Sequence, residues 1–324
     1  MNDKNTLTIF VTTYNRDYYL KDMLKSIQNQ SYKKFKVIVL DNCSQDNTEQ
    51  IVKGFLQDER FSYIRHKSNI GGIENINYAF QNCNTDFFCI LHDDDILCAD
   101  MIEKELEYLK LNRQCCAVTC RTSIINEDGE QTKKGKAFSK EKDKEFSKNG
   151  FFTNYIHNQK HLVFPTTMYR NSFIRENKLK LNAEVGPCAD VVLYMEMERY
   201  GGTIVELPDI CFNYRVYDNQ DSSTNFENML LMLMRYLCDN TYYAGLLEED
   251  IKGKIAYLKW YEKKLAIRTA ANRITSEYAL KSIEEMQRIL RITRHTIFYF
   301  IIILASKYPH SFKKMYDIAK GSNK

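Results

Sequence analysis

The sequence predicts an α/β protein, a mostly parallel sheet flanked by helices and followed by a helical C-terminal appendage. Three observations carry that expectation. Short β-branched or aromatic runs alternate with amphipathic segments through the first hundred residues. The strand candidates are short, and strand and helix alternating at these lengths suit a mostly parallel sheet covered on both faces. Beyond about residue 223 the period is helical throughout, with Leu, Met, Tyr, Lys and Arg dominating.

In chain order, "LTIFVTTY" reads as a first buried strand, and "YYLKDMLKSIQNQ" as a helix with Leu20, Leu24 and Ile27 on one face. "FKVIVLDN" is a second strand. It leads to the helix "SQDNTEQIVKGFLQ", in which Asp46 and Glu49 have the spacing of a capping box. "FSYIRH", "GGIENINYAFQNC" and "DFFCIL" give strand, helix and strand. "ADMIEKELEYLKL" is a helix with a second capping box at Asp100 and Glu103, and "CCAVTCRTSIIN" is a strand running into the turn "EDGE". "KKGKAFSKEKDKEFSKNG" is lysine-rich, has few large apolar residues and reads as an exposed, mobile loop. "GPCADVVLYMEMERYGG" is a short helix ending on a glycine cap, and "TIVELPDICFNYRV" an extended segment interrupted by Pro208.

Composition narrows the class. The 324 residues suffice for one large domain or two ordinary ones, and 44% hydrophobic with 13% aromatic content excludes a disordered chain. Ten cysteines follow no metal-ligand spacing and behave as small apolar residues. "MNDKNTLTIF" has no charged-then-apolar leader, so reduced thiols and a cytoplasmic location are expected. The net charge of +4 is uneven: from Thr224 onward there are 17 Lys and Arg against 10 Asp and Glu. The appendage, more than the body, is therefore the part expected to meet something anionic. No nucleic-acid partner is expected.

The stretch "ILHDDDIL" holds three consecutive carboxylates, Asp93, Asp94 and Asp95, at the end of the fourth strand, and Asp41 ends the second. Ligands of open α/β sheets bind outside the carboxyl ends of the strands. Hard divalent cations combine one or two carboxylates with substrate phosphates, which gives the crowded aspartates a use. Capping of the next helix is the plainer reading, but Asp100 is better placed for it. Gly71-Gly72 before a helix admits either a simple turn or an anion at the helix N-terminus. No GxGxxG follows the first strand and no Walker-type GK[ST] occurs, which disfavours dinucleotide dehydrogenases and P-loop enzymes. From the residues alone, Asp190 is either a helix N-cap or a reacting carboxylate.

"TIFVTTYNR", "VIVLDNCSQDNT", "NIGGIENIN" and "ILHDDDIL", in that order and spacing, resemble an inverting family 2 glycosyltransferase with the GT-A (Rossmann-like) fold. The resemblance implies a GT-A domain over residues 1–223, with a nucleotide-sugar half at 1–97 and an acceptor half at 98–223. Residues 224–324 are then a helical region for membrane or dimer contact. It implies that Thr13, Tyr14, Arg16, Asp41, Asn69, Gly72, Asp93 and Asp94 hold the nucleotide. Asp93 and Asp95, the outer members of a DxD motif, would hold Mn2+ or Mg2+, the triple Asp leaving that register open by one. Asp190 would be the catalytic base, with Glu184 in reserve. The implied reaction moves a sugar from a UDP-sugar, or next a dTDP-sugar, to a saccharide or lipid-linked saccharide acceptor in bacterial surface polysaccharide synthesis. A non-catalytic nucleotide- or saccharide-binding scaffold and a sugar-nucleotide pyrophosphorylase are the alternatives.

Two features depart from or extend that pattern. "NYRVYDNQDSS" carries Tyr217 where the family often has a His, and Arg215 is read as either a phosphate contact or an ion pair. His92 is not counted as a ligand, because alternation with Leu91 turns it away. The apolar run from Ile297 to Ala305 is too short to cross a bilayer. It is either core, against the body or a second copy, or an interfacial helix at the inner membrane face. In the interfacial case Phe298, Tyr299 and Phe300 are buried among Arg291, Arg294, Lys307, Lys313 and Lys314. A homo-oligomer is compatible with the Met-rich "FENMLLMLMRYL".

Overall fold

The strands read from the sequence pair into a single sheet, in a computed structural model that describes residues 7–133, 143–217, 226–271 and 273–308. The chain divides into two compact units. The first holds residues 1–151, 161–183 and 189–220, and the second 152–160, 184–188 and 221–324.

In the first unit, β1 (Leu7–Thr13), β2 (Lys36–Asp41), β3 (Phe61–Arg65) and β4 (Phe87–His92) are parallel, in the order β3-β2-β1-β4. Between them run α1 (Asp17–Gln28), α2 (Thr48–Lys53) and α3 (Gly72–Asn82). Each helix follows a parallel strand, so each begins at the carboxyl edge of the sheet. α1 buries Leu20, Met23, Leu24 and Ile27 completely, worth about 1.5–3 kcal/mol each before entropy is counted. The sheet continues past β5 (Ile96–Leu97) and α4 (Met101–Leu111) with β6 (Cys115–Ile125), β7 (Gln131–Lys133), β8 (Lys144–Phe146), β9 (Thr167–Arg170) and β10 (Thr203–Arg215). β10 is parallel to β6, so β10 and β4 also end at the common edge.

Several sequence readings need correction. The local pattern of "TMYR" gives no strand, yet β9 lies antiparallel between β4 and β6. Four residues bounded by a 3-10 turn give no alternation to detect. Pro208 does not interrupt the last strand. β10 runs through it with register shifts between Leu207 and Phe212, the bulge a proline requires inside a sheet. Lys144–Phe146, within the lysine-rich segment, is strand β8 on β10, while residues 134–142 of that segment lie outside the described residues. Neither capping box forms. Asn47, not Asp46, precedes α2, and Asp100 at the N-cap of α4 accepts no helix N–H, pairing with Lys104 at 2.9 Å instead.

α5 (Gly150–Asn158) and α6 (Asn171–Glu176) are further helices the sequence reading passed over. α7 (Ala189–Arg199) ends where expected. Gly201, at φ +81°, donates to the Glu198 carbonyl, and Gly202 donates to that of Met197. A Cβ on Gly202 would stand 2.5 Å from Cys116 Sγ, so the close approach requires glycine.

The second unit contains α8 (Phe226–Asp239), α9 (Thr241–Glu249), α10 (Ile251–Ala270), α11 (Ser276–Leu290) and α12 (Ile297–Lys307). Its helix starts are chemically marked: the Asn240, Asp250, Thr275 and Thr296 side chains each accept a backbone N–H of the following first turn. Among the described residues no helix is long and apolar enough to cross a membrane.

Candidate active site

The carboxyl edge of the first unit's sheet gathers the loops after β1, β2, β3, β4 and β10. The first two are laced together. Asn15, in a left-handed conformation, donates its N–H to Ser44 Oγ at 3.0 Å and accepts from Gln45 N at 2.7 Å. Asp17 is tied to the same loop: its N–H donates to Asp46 Oδ2, and its Oδ2 accepts Asn47 Nδ2 at 2.9 Å. These bonds account for the polar residue types in "TTYNRD" and "DNCSQDN".

Asp41 is fully buried. Its Oδ1 accepts Ser44 N at 2.8 Å, its Oδ2 accepts Tyr63 Oη at 2.5 Å, and Arg65 Nε lies 3.4 Å away. Asp41 and Arg65 are register partners at the ends of β2 and β3. Asn69 Oδ1 accepts from Asn42 Nδ2 and from Gly71 N, which fixes the turn into α3. Gly71 has φ +88°, and a side chain at Gly72 would meet nothing within 4 Å, so the start of α3 is open.

The three aspartates are buried at 2%, 6% and 1% exposure, and they differ in partners. Asp93 accepts from Tyr14 N at 3.4 Å and Arg16 Nη1 at 3.3 Å. Asp94 accepts from the same Arg16 nitrogen at 3.2 Å and from Tyr217 Oη at 2.9 Å. Asp95 accepts the Arg215 backbone N–H at Oδ1, while its Oδ2 is buried with no hydrogen-bond partner among the described residues. His92, Asp94 and Asp95 each offer a ligand atom within 4.8 Å of the others. Alternation did not turn His92 away; its ring stacks on Phe164 at 5.9 Å. Asp93, one of the two sequence candidates for the metal, is outside that set.

Electrostatics follow from the burial. Burial pushes the Asp93 carboxyl up to about 7 against the pull of Arg16, with Asp94 adding to the rise. Asp95 is driven well above the ordinary range by burial and then by Asp94. Burial lowers His92, which keeps its imidazole neutral and able to ligate. Burial opposes the Arg16 charge, but Asp93 and Asp94 outweigh it and hold the guanidinium firmly protonated.

This gives stability a pH signature. Asp93 titrates near 3.8 when exposed and about 7 when folded. Between those values the folded chain binds more protons than the unfolded chain, so stability falls as pH rises through that window. The ligand-free protein is expected to melt higher at pH 5 than at pH 8, and Asp93→Asn to flatten the slope. Thermal melts of both across that range check it; identical slopes would remove Asp93 as the cause.

Arg215 is not placed as a phosphate contact. It is 1% exposed, donates Nε to the Asp94 carbonyl at 2.6 Å and Nη1 to the Asn126 and Glu127 carbonyls, and lies 4.6 Å over the Tyr19 ring. It ties the aspartate turn to the "NEDGE" turn. Tyr217, at the position where a His was missed, bonds Asp94 and faces the Arg16 guanidinium at 5.9 Å.

Asp190 is the second residue of α7, not its N-cap. Its half-buried carboxylate accepts the Val191 N–H at Oδ1. Burial raises it, and His161 pulls it down. One turn on, Tyr194 Oη bonds Thr167 Oγ1 at 2.6 Å. Because β9 is antiparallel to β4, Thr167 lies toward the edge where β4 ends. Glu184 is exposed and belongs to the second unit. Sequence reasoning named neither Tyr63 nor Arg65, and it set aside His92. The register of β2 on β3 would have supplied the first two, and position next to the aspartates the third.

An uncharacterized glycosyltransferase of Haemophilus influenzae is 28% identical over 257 residues, 76% of each chain. A Campylobacter jejuni protein named GalNAc(5)-diNAcBac-PP-undecaprenol beta-1,3-glucosyltransferase is 28% identical over 172 residues, 52% of this chain and 55% of that one. The crystal structure of S. aureus TarS 1-349 in complex with UDP superposes with a TM-score of 0.63 at 15% identity, covering 98% of this chain and 92% of that one. That likeness shows the shared GT-A fold. The family described as Glycosyl transferase family 2 matches residues 8–179, more than half of the chain, and the protein belongs to that family of glycosyltransferases.

Proposed function

We propose that the protein transfers one sugar from a nucleoside-diphosphate donor to a saccharide or lipid-linked saccharide acceptor, inverting the anomeric centre. A UDP-sugar is the first choice of donor and a dTDP-sugar the second. The observation that carries the reading is the buried Oδ2 of Asp95, without a hydrogen-bond partner among the described residues, beside Asp94 and neutral His92 at the carboxyl edge of the sheet. Three crowded donors and an orphan oxygen suit a divalent cation, Mn2+ or Mg2+, with Asp95 common to the sequence-derived and the structural sets. The UDP in TarS and the lipid-diphosphate acceptor in the Campylobacter name support the donor and acceptor classes.

Thr13, Tyr14 and Arg16 line the nucleotide, with the Arg16 guanidinium at hand for phosphate oxygens. Asp41 supports the base site through Ser44 and Arg65 and has lone-pair capacity left for a uracil or thymine imide N–H. Asn69 and Gly72 shape the α3 N-terminus beside it. When bound, the cation supplies Lewis-acid stabilisation of the departing diphosphate. Asp190 Oδ2 takes the proton of the acceptor hydroxyl as that oxygen bonds to the anomeric carbon and the bond from that carbon to phosphate breaks. The free nucleoside diphosphate leaves.

Incubation with UDP-α-sugars and saccharide acceptors is the test, with product configuration read by NMR. A β-linked product and loss of turnover with EDTA are expected. An α-linked product, or full turnover in EDTA, would overturn the inverting, metal-assisted reading.

A further inference from the structure

We propose that the outer face of α12 docks the protein on an anionic lipid surface. Ile297, Phe300, Leu304 and Tyr308 are 67%, 55%, 53% and 62% exposed. Their spacing of three, four and four residues places them in one stripe along the helix. Ile302 and Ala305 are buried within the second unit, at 1% and 4%. Phe298 and Tyr299, expected with Phe300 in the interfacial reading, are half-buried instead, Tyr299 stacking on His295 at 3.8 Å. The aromatic triplet is therefore split, and the outward face is the aliphatic-aromatic stripe.

The charge around the stripe selects its occupant. α12 carries no acid, and Arg291, Arg294 and Lys307 at its ends are exposed. Arg291 lies 3.7 Å from Glu248, an exposed pair that leaves most of its charge available. From residue 286 to the end, eight Lys and Arg stand against one acid, Asp317. A two-fold contact between copies would bring this basic segment against itself, whereas anionic headgroups complement it. Eleven residues span roughly 16 Å, about half of a bilayer core, so the helix lies in the interface and does not cross it.

The test is flotation of the full chain with vesicles of phosphatidylcholine, alone or mixed with phosphatidylglycerol. Two variants are compared, Phe300→Ser/Leu304→Ser and Arg291→Gln/Arg294→Gln, with circular dichroism and melting temperature as folding controls. The expected result is partition of the parent onto the mixed vesicles and little onto the neutral ones, with a drop of about tenfold or more in either variant. No partition of the parent, or unchanged partition of both folded variants, would overturn the proposal. So would a dimer by light scattering that the Phe300→Ser/Leu304→Ser variant dissociates, which would assign the stripe to a second copy.

Discussion

Asp190→Asn is expected to lower transfer by about 10²–10⁴-fold, the usual contribution of a positioned general base, while nucleoside-diphosphate binding is retained. Asn keeps the size of the side chain, and its amide oxygen can still accept the Val191 N–H that Asp190 Oδ1 accepts at 2.8 Å. What it loses is the ability to take a proton. The pH profile separates this from a packing effect. The base works deprotonated, and burial holds the Asp190 carboxyl above the ordinary range with His161 opposing. Transfer in the parent should therefore fall as pH drops through that raised value, at a higher pH than an exposed Asp would give. The residual rate of the variant should lack that limb. Near-normal turnover in Asp190→Asn, with the limb intact, would move the base elsewhere.

Arg215→Ala is expected to cost about 3–5 kcal/mol of unfolding free energy, the range for breaking a buried charge network. Three carbonyls, of Asp94, Asn126 and Glu127, lose their donor, and the Tyr19 ring loses the guanidinium beneath it. Arg215→Lys should recover little, because a point ammonium cannot reproduce the fork that reaches both turns. Since the same arginine holds the Asp94–Asp95 turn, divalent-cation affinity should weaken by about 10–100-fold in whatever fraction remains folded. Urea melts and cation titration check the pair of effects. A loss below about 1 kcal/mol would class the arginine with exposed ion pairs.

The parts of this fold that were legible in the sequence are those with strong, local signals. β1 to β4 are apolar runs and α1 has a clean buried face, so periodicity finds them. β9 escaped because its four residues are defined only by pairing on both sides, which no local pattern encodes. The capping boxes failed for a similar reason: α2 starts one residue later than the spacing implies, so Asp46 accepts Thr48 N from outside the cap position, and Asp100 pairs with Lys104. At the site, the acidic cluster and its sheet edge were visible, since charge crowding at a strand end is a sequence property. The division of labour among Asp93, Asp94 and Asp95 was not. It depends on Arg16, Arg215 and Tyr217, which converge from residues as many as 123 positions away. His92 ends β4, and the turn that follows at once brings Asp94 and Asp95 back within 4.8 Å of its ring nitrogen, which strand alternation does not encode.

The most direct measurement is calorimetric titration of the full chain with UDP, dTDP, GDP and CDP, with and without manganese, alongside the Asp93→Ala/Asp95→Ala variant. The expected result is binding of UDP that requires the metal and disappears in the variant. Absence of metal-dependent binding for every nucleotide would make the three aspartates a structural turn held by Arg16 and Arg215, and would contradict the donor site.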